Sequence, residues 1–248
     1  MSTDLPFKIH TFDPKDASKK IDGAAIIVLQ EWWGVNDTIL NHAQRIANNT
    51  GARTVVPDLY KGKIGLTAEE ASHLMSNLDW KVAMNELETL ANHLKSEGYT
   101  KLGAIGFCMG GGLSLALATQ LDNPPLKAAV SCYGTPPADF DVSKITSATA
   151  VQGHFGGKDA MAGFSDPAAA DALENNLKGA SDVIIYRYPD QGHAFLNDDD
   201  WSIEKRKELG FVDKDIEPRS AEQAVRDEAW SRIYAYFIKH LAASNPHL

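Results

Sequence analysis

The stretch IGFCMGGGLSLALA, Ile105–Ala118, decides how this chain is read. An apolar run ends at Phe107, the chain turns on glycines, and a helical pattern begins at Met109. At the point of the turn sits Cys108, one of only two cysteines in 248 residues. Gly106, Cys108 and Gly110 fit the pattern G-x-nucleophile-x-G, with cysteine where serine is usual. A nucleophile on such a turn has a strained backbone, and only small neighbours let strand and helix pass so close. The helix start beneath the thiol favours thiolate. The Met109 N–H is aimed at a developing oxyanion. Two other readings fit the pentapeptide. Cys108 could be a small buried hydrophobe, the commonest fate of free cysteine. The glycines could form a nucleotide-binding turn, although their spacing matches neither G-x-G-x-x-G nor a P-loop.

Working outward from this turn, short β-type runs alternate with helical patterns. Ala24–Leu29 is continuously apolar, as a buried parallel strand should be. Residues 36–51 carry Ile39, Leu40, Ala43, Ile46 and Ala47 at helical spacing, with Asn36 or Asp37 to cap the start and Gly51 to end it. Strands are predicted at 52–58, 101–106, 128–133, 149–154 and 183–188. Thr67 and Glu70 form a capping box for a helix through Leu78, and Asp79 caps a second from Trp80 to about Glu97. Further helices are expected over 109–121, near 167–178 and from about Arg219 to Ala242. This alternation predicts an α/β fold: a mostly parallel central sheet with helices on both faces, in one domain over residues 1–248. The polar stretch 197–218 reads as a surface excursion or a lid.

An attacking thiol needs a base, and the base needs an orienting acid. On a sheet with a nucleophile elbow these follow in the order acid, then histidine, in loops after later strands. Asp159 lies in the loop after 149–154, and His193 in the turn after the last strand. Of the eight histidines, His10, His42, His73, His93, His240 and His247 read as solvated or packing residues. His154, at a strand end, reads as a pocket residue before a base. Asp190 reads as a turn residue, because so near a neighbour cannot easily approach the imidazole from its far side.

Composition narrows the rest. Net charge is −9 at pH 7 and no dense basic run exists, which argues against nucleic acid and anionic membrane as partners. No run of 18 apolar residues could span a bilayer, and the first residues have no secretory apolar core. Two cysteines make no disulfide framework, so a reducing cytoplasm is the expected setting.

At this point the sequence resembles the dienelactone hydrolase family of α/β-hydrolases, the carboxymethylenebutenolidases. The marks are LQEWWGVND (29–37), VVPDLY (55–60), GFCMGGG (106–112), GGKDA (156–160) and GHAF (192–195), in that order over nearly the whole chain. The resemblance implies an α/β-hydrolase fold with Cys108 as nucleophile, His193 as base and Asp159 as its orienting acid. It implies that Glu31 stands beside the cysteine and controls the charge of the thiol. The backbone N–H groups of Trp32 and Met109 would form the oxyanion hole. One departure stands out. Relatives that act on dienelactone hold its carboxylate with arginines, one of them four residues beyond the histidine; here that residue is Asn197, and no arginine lies in 65–74. An amide cannot replace a bidentate guanidinium. Aromatic walls are expected instead, from Trp32, Trp33, Tyr60, Tyr133, Phe155 and Phe195. The expected function is hydrolysis of small esters or lactones by a monomer, with no metal or organic cofactor. Two rivals remain: a thiol redox protein pairing Cys108 with Cys132, and a non-catalytic binding protein of the same fold. Cys132 reads most simply as strand core.

Overall fold

Ala24–Leu29 forms strand β2, buried along its whole length. Its alternate residues face opposite cores: Ala25, Ile27 and Leu29 join one cluster, and Ala24, Ile26 and Val28 the other. The structure is a computed structural model that describes residues 4–242. The remaining strands are β1 (Ile9–Phe12), β3 (Arg53–Pro57), β4 (Lys101–Phe107), β5 (Ala128–Cys132), β6 (Ala150–Gly156) and β7 (Ser181–Tyr188). They form one sheet in the order β1-β3-β2-β4-β5-β6-β7. Every pairing is parallel except β1 with β3.

Helices cover both faces. Helices α2 (Ala68–Ser76), α3 (Trp80–Ser96), α4 (Met109–Gln120) and α5 (Pro167–Asn176) lie on one side, and α1 (Asp37–Thr50) and α8 (Gln223–Ala242) on the other. In the chain between α5 and α8 come α6 (Asp200–Glu208) and the short α7 (Pro218–Ala221). Each core side chain taken fully out of water contributes about 1.5–3 kcal/mol, and almost all of α4 is buried. Asn36 caps α1 through a bond to the Ile39 N–H, the Thr67–Glu70 capping box closes on itself, and Asp79 caps α3.

The expected strands and the helices up to α5 lie within two residues of their sequence boundaries. Three features differ. Ile9–Phe12 was not expected as a strand; it is a four-residue antiparallel edge on β3. The stretch 197–218 contains helix α6, held down by buried Arg206, whose guanidinium donates to both carboxylate oxygens of Glu222 at 2.8 and 2.9 Å. The final helix is two, with Glu222 at the break between them and its carboxylate on Arg206. Among the described residues, no helix is long and apolar enough to cross a membrane.

Candidate active site

The elbow is built as its glycines demand. A Cβ at Gly106 would lie 1.7 Å from the Gly110 carbonyl oxygen, and one at Gly110 would lie 2.2 Å from that of Leu29. Strand β4, helix α4 and the end of β2 therefore touch backbone to backbone. Cys108, between them, has φ 57° and ψ −119°. Such conformations cost about 1–3 kcal/mol and cluster at functional sites. Tyr133 after β5 and Ala194 beside His193 also have positive φ and lie, like Cys108, beyond the carboxyl ends of strands, whereas Asp182, also with positive φ, lies at the start of β7.

The thiol is nearly buried, at 7 % exposure. Burial raises its pKa, and the neighbouring Glu31 carboxyl pushes in the same direction. The backbone N–H groups of Met109 and Trp32 bear on the sulfur and oppose that rise. The sulfur thus lies against both donors. Cys132 ends β5 in the core, its carbonyl accepts the Cys108 N–H at 3.0 Å, and both cysteines are free.

Asp159 and His193 come from the loops after β6 and β7. The loops are joined by main-chain bonds, from Gly157 N–H to the Tyr188 carbonyl (2.7 Å) and from Lys158 N–H to the Gln191 carbonyl (2.9 Å). That frame sets His193 Nδ1 2.6 Å from Asp159 Oδ2, both side chains out of water. The other Asp159 oxygen accepts the Met161 N–H at 3.0 Å. His193 Nε2 is buried with no partner. Asp190, by contrast, is exposed and faces Lys158.

Sequence reasoning missed Ser165. Its buried hydroxyl lies 3.1 Å from His193 Nδ1, beside the carboxylate. The rings of Tyr133 and Phe211 meet the imidazole edge-on, 5.2 and 4.8 Å away. Nothing in the local sequence of Ser165 separates it from other loop serines.

The Glu31 carboxyl is fully buried, which pushes its pKa up to about 7. Its Oε1 accepts from Asn197 Nδ2 at 2.8 Å, and its Oε2 has no partner. Asn197 Oδ1 in turn lies 3.0 Å from Nε2 of His42, a buried histidine on α1. His42 was expected only as a solvated or packing residue. Its place on the buried face of α1, with Ile39, Ala43 and Ile46, was the signal available.

The expected aromatic walls divide. Tyr60 donates to the sulfur of Met109 at 3.5 Å and lines a cleft of about 320 Å³ with Leu59, Leu74, Leu78 and Val82. Tyr133 leans on His193, its hydroxyl buried without a partner. Trp32 is half-buried, and Trp33 is packed between it and Trp201 of α6. Phe155 and Phe195 do not line the site. Phe155 shares strand parity with Val151 and packs with it in the core, while Phe195 packs behind Tyr133 and Tyr188. His154 is likewise not in the pocket: Tyr188 Oη and Gln152 Oε1 flank its two nitrogens at 2.8 Å, and burial lowers its pKa to about 3. Among the described residues, no group of three or more His, Cys, Asp or Glu side chains is placed to hold a metal ion.

The profile of the dienelactone hydrolase family matches residues 9–241. A carboxymethylenebutenolidase of Rhodococcus opacus is 25% identical over 235 residues, covering 90% of this chain and 84% of its own. One from Pseudomonas putida is 26% identical over 200 residues, covering 75% and 81%. Two solved structures share the fold. A dienelactone hydrolase-like promiscuous phosphotriesterase from metagenomic libraries superposes with a TM-score of 0.69 at 18% identity, covering 94% of this chain and 98% of its own. A Pyrococcus furiosus esterase superposes at 0.58 with 12% identity, covering 96% and 94%.

Proposed function

The chain belongs to the dienelactone hydrolase family and is a hydrolase of that kind, and we propose that it cleaves small uncharged esters or lactones through a thioester on Cys108. One observation carries this reading. A buried His193–Asp159 pair presents an unpartnered Nε2 at the same end of the sheet as a cysteine on a strained elbow. A buried nitrogen left unsatisfied is costly to the fold and calls for a partner that arrives later.

In this reading the thiol rests against the Trp32 and Met109 N–H groups as an uncharged acid. An entering carbonyl oxygen takes that place, and Sγ turns towards His193. The S–H proton passes to Nε2, the S–C bond forms, and the two N–H groups hold the oxyanion. The oxyanion then collapses, the C–O bond breaks, and the ring or alcohol oxygen leaves with the proton from Nε2. Water gives a proton to the neutral imidazole and attacks the thioester carbonyl. The acid departs, the thiolate leaves, and it regains the proton. Asp159 keeps the proton of His193 on Nδ1 and supports the imidazolium. Glu31 restrains ionisation of the thiol while the site is empty.

The substrate is uncharged because residue 197 is an asparagine already committed to Glu31 and His42, which leaves no guanidinium there for a substrate carboxylate. The test is intact-mass analysis after rapid quenching with an activated aryl ester. One acyl group on the Cys108 peptide is expected. An acyl group on any other residue, with turnover intact, would overturn the assignment.

A further inference from the structure

Asn197 has two polar ends, and the structure uses both. Its Nδ2 donates to Glu31 at 2.8 Å and its Oδ1 faces His42 Nε2 at 3.0 Å, with all three side chains buried. His42 and Glu31 together fix the orientation of the amide, because Nδ2 donates to Glu31 and leaves Oδ1 to the ring. The imidazole lies against the rings of Phe107 and Trp230, 4.7 and 5.0 Å away, and burial lowers its pKa to about 4. It is therefore a neutral ring, and to meet a carbonyl oxygen it must carry its proton on Nε2. A ring donating from Nε2 fixes Oδ1 on its own side and sends the NH2 group to Glu31. The reversed amide would set two donors against each other at His42.

Glu31 has few other means of carrying charge. Its Oε2 is without a partner. Asp199 acts against its ionisation and Arg206 acts for it, but Arg206 is already bound at both ends of the Glu222 carboxylate. When charged, Glu31 disfavours ionisation of the Cys108 and Cys132 thiols and of the Tyr133 hydroxyl alike, and of these Cys108 is the one on the elbow. His42 feels Arg45, which opposes its protonation, and Asp198 and Asp199, which favour it. Among the described residues, the bond from the Asn197 amide is thus the one hydrogen bond that the Glu31 side chain makes.

We propose that Asn197, oriented by His42, is a positioning residue that sets how readily Glu31 gives up its proton, and through Glu31 when Cys108 can ionise. The proposal rests on the reading of Cys108 as a restrained thiol. It gives His42, some way along α1 from the sulfur, a role that packing alone would not.

The experiment follows alkylation of Cys108 by iodoacetamide across pH, with the modified residue identified by mass spectrometry. Wild type is compared with Glu31→Gln, Asn197→Leu, His42→Leu and His42→Gln. Wild type should show an inflection in the rate that Glu31→Gln lacks. Removing the amide donor takes a bond from the charged carboxylate, so the Glu31 pKa rises. Asn197→Leu should therefore move the inflection upward by about one pH unit, the scale of one charged hydrogen bond. His42→Leu should move it the same way, and His42→Gln, which can still donate to Oδ1, should restore it. A merely structural role would lower the melting temperature of the His42 variants and leave the inflection in place. An unmoved inflection in Asn197→Leu or His42→Leu, or one that survives in Glu31→Gln, overturns the proposal. Where Asn197→Leu does not fold, the His42 pair decides. Failure of the hydrolytic reading is distinguishable, because it appears as ester turnover retained in Cys108→Ala while the alkylation curves still report on Glu31.

Discussion

The two ends of the site treat buried acids in opposite ways. At the β6–β7 end, Asp159 faces a histidine at 2.6 Å, with Ser165 beside the same nitrogen. At the β2 end, among the described residues, Glu31 has only an amide as hydrogen-bond partner, and burial carries its pKa to about 7. A carboxylate given a partner that can become cationic can remain charged and support an imidazolium. A carboxyl given a neutral amide holds its proton until about pH 7, and once charged it disfavours ionisation of the neighbouring thiol. In the proposed mechanism a proton acceptor thus stands on one side of Cys108 and a restraint on the other. Histidines divide in the same way. His193 has a free nitrogen and His154 has none, so of these two His193 is the one with a valence to offer a reaction.

That contrast can be broken most severely at the β6–β7 end. His193→Gln removes the base, and kcat/KM for an aryl ester should fall by about 10³-fold or more. A fall of less than tenfold would move the base elsewhere. Asp159→Asn leaves the geometry but gives His193 an amide, the kind of partner Glu31 has, and should cost about 10²–10⁴-fold. If activity were unchanged, the pairing would be structural. Ser165→Ala should cost about two- to tenfold, as one neutral hydrogen bond of about 1 kcal/mol would, and mainly in kcat. An effect confined to KM would place Ser165 against substrate instead.

His154→Gln is the control within the comparison, because its ring is satisfied and lies away from the reaction. It should leave kcat/KM unchanged and alter the acid side of the stability curve. The folded pKa of His154 is lowered from 6.5 to about 3, and that of His42 to about 4. The unfolded chain therefore binds protons first as pH falls. Stability from these groups is full above about 6.5 and is lost through the window down to about 3–4. Glu31 has the opposite sign: raised from 4.5 to about 7, it removes stability as pH rises through that interval. Urea denaturation across pH should show a shallower acid limb in His154→Gln; an identical limb would contradict the assignment of His154 as a buried neutral ring.

Much of this fold was legible because its signals are local. The continuous apolar run of β2, the capping box at Thr67 and the glycines around Cys108 each have one physical cause within a few residues. The β1 edge was not legible, since IHTF is short and mixed in polarity and takes its partners from β3. Helix α6 was hidden because DWSIEKRKE buries only Ser202 and Arg206, so no apolar stripe marks its period. At the site, chain order alone pointed to Cys108, Asp159 and His193. Ser165, His42 and the bond from Asn197 to Glu31 depend on contacts across 28, 155 and 166 residues, and no spacing rule reaches so far. Asn197 reads from sequence as an arginine lost; in the structure it is an amide in use.

The most direct test of the account is a stopped-flow reaction with an activated aryl ester, comparing wild type with Cys108→Ser. A burst stoichiometric with enzyme, lost or sharply slowed in the variant, is the predicted result. Equal bursts and equal turnover in the two proteins would contradict the assignment of Cys108 as the group that is acylated.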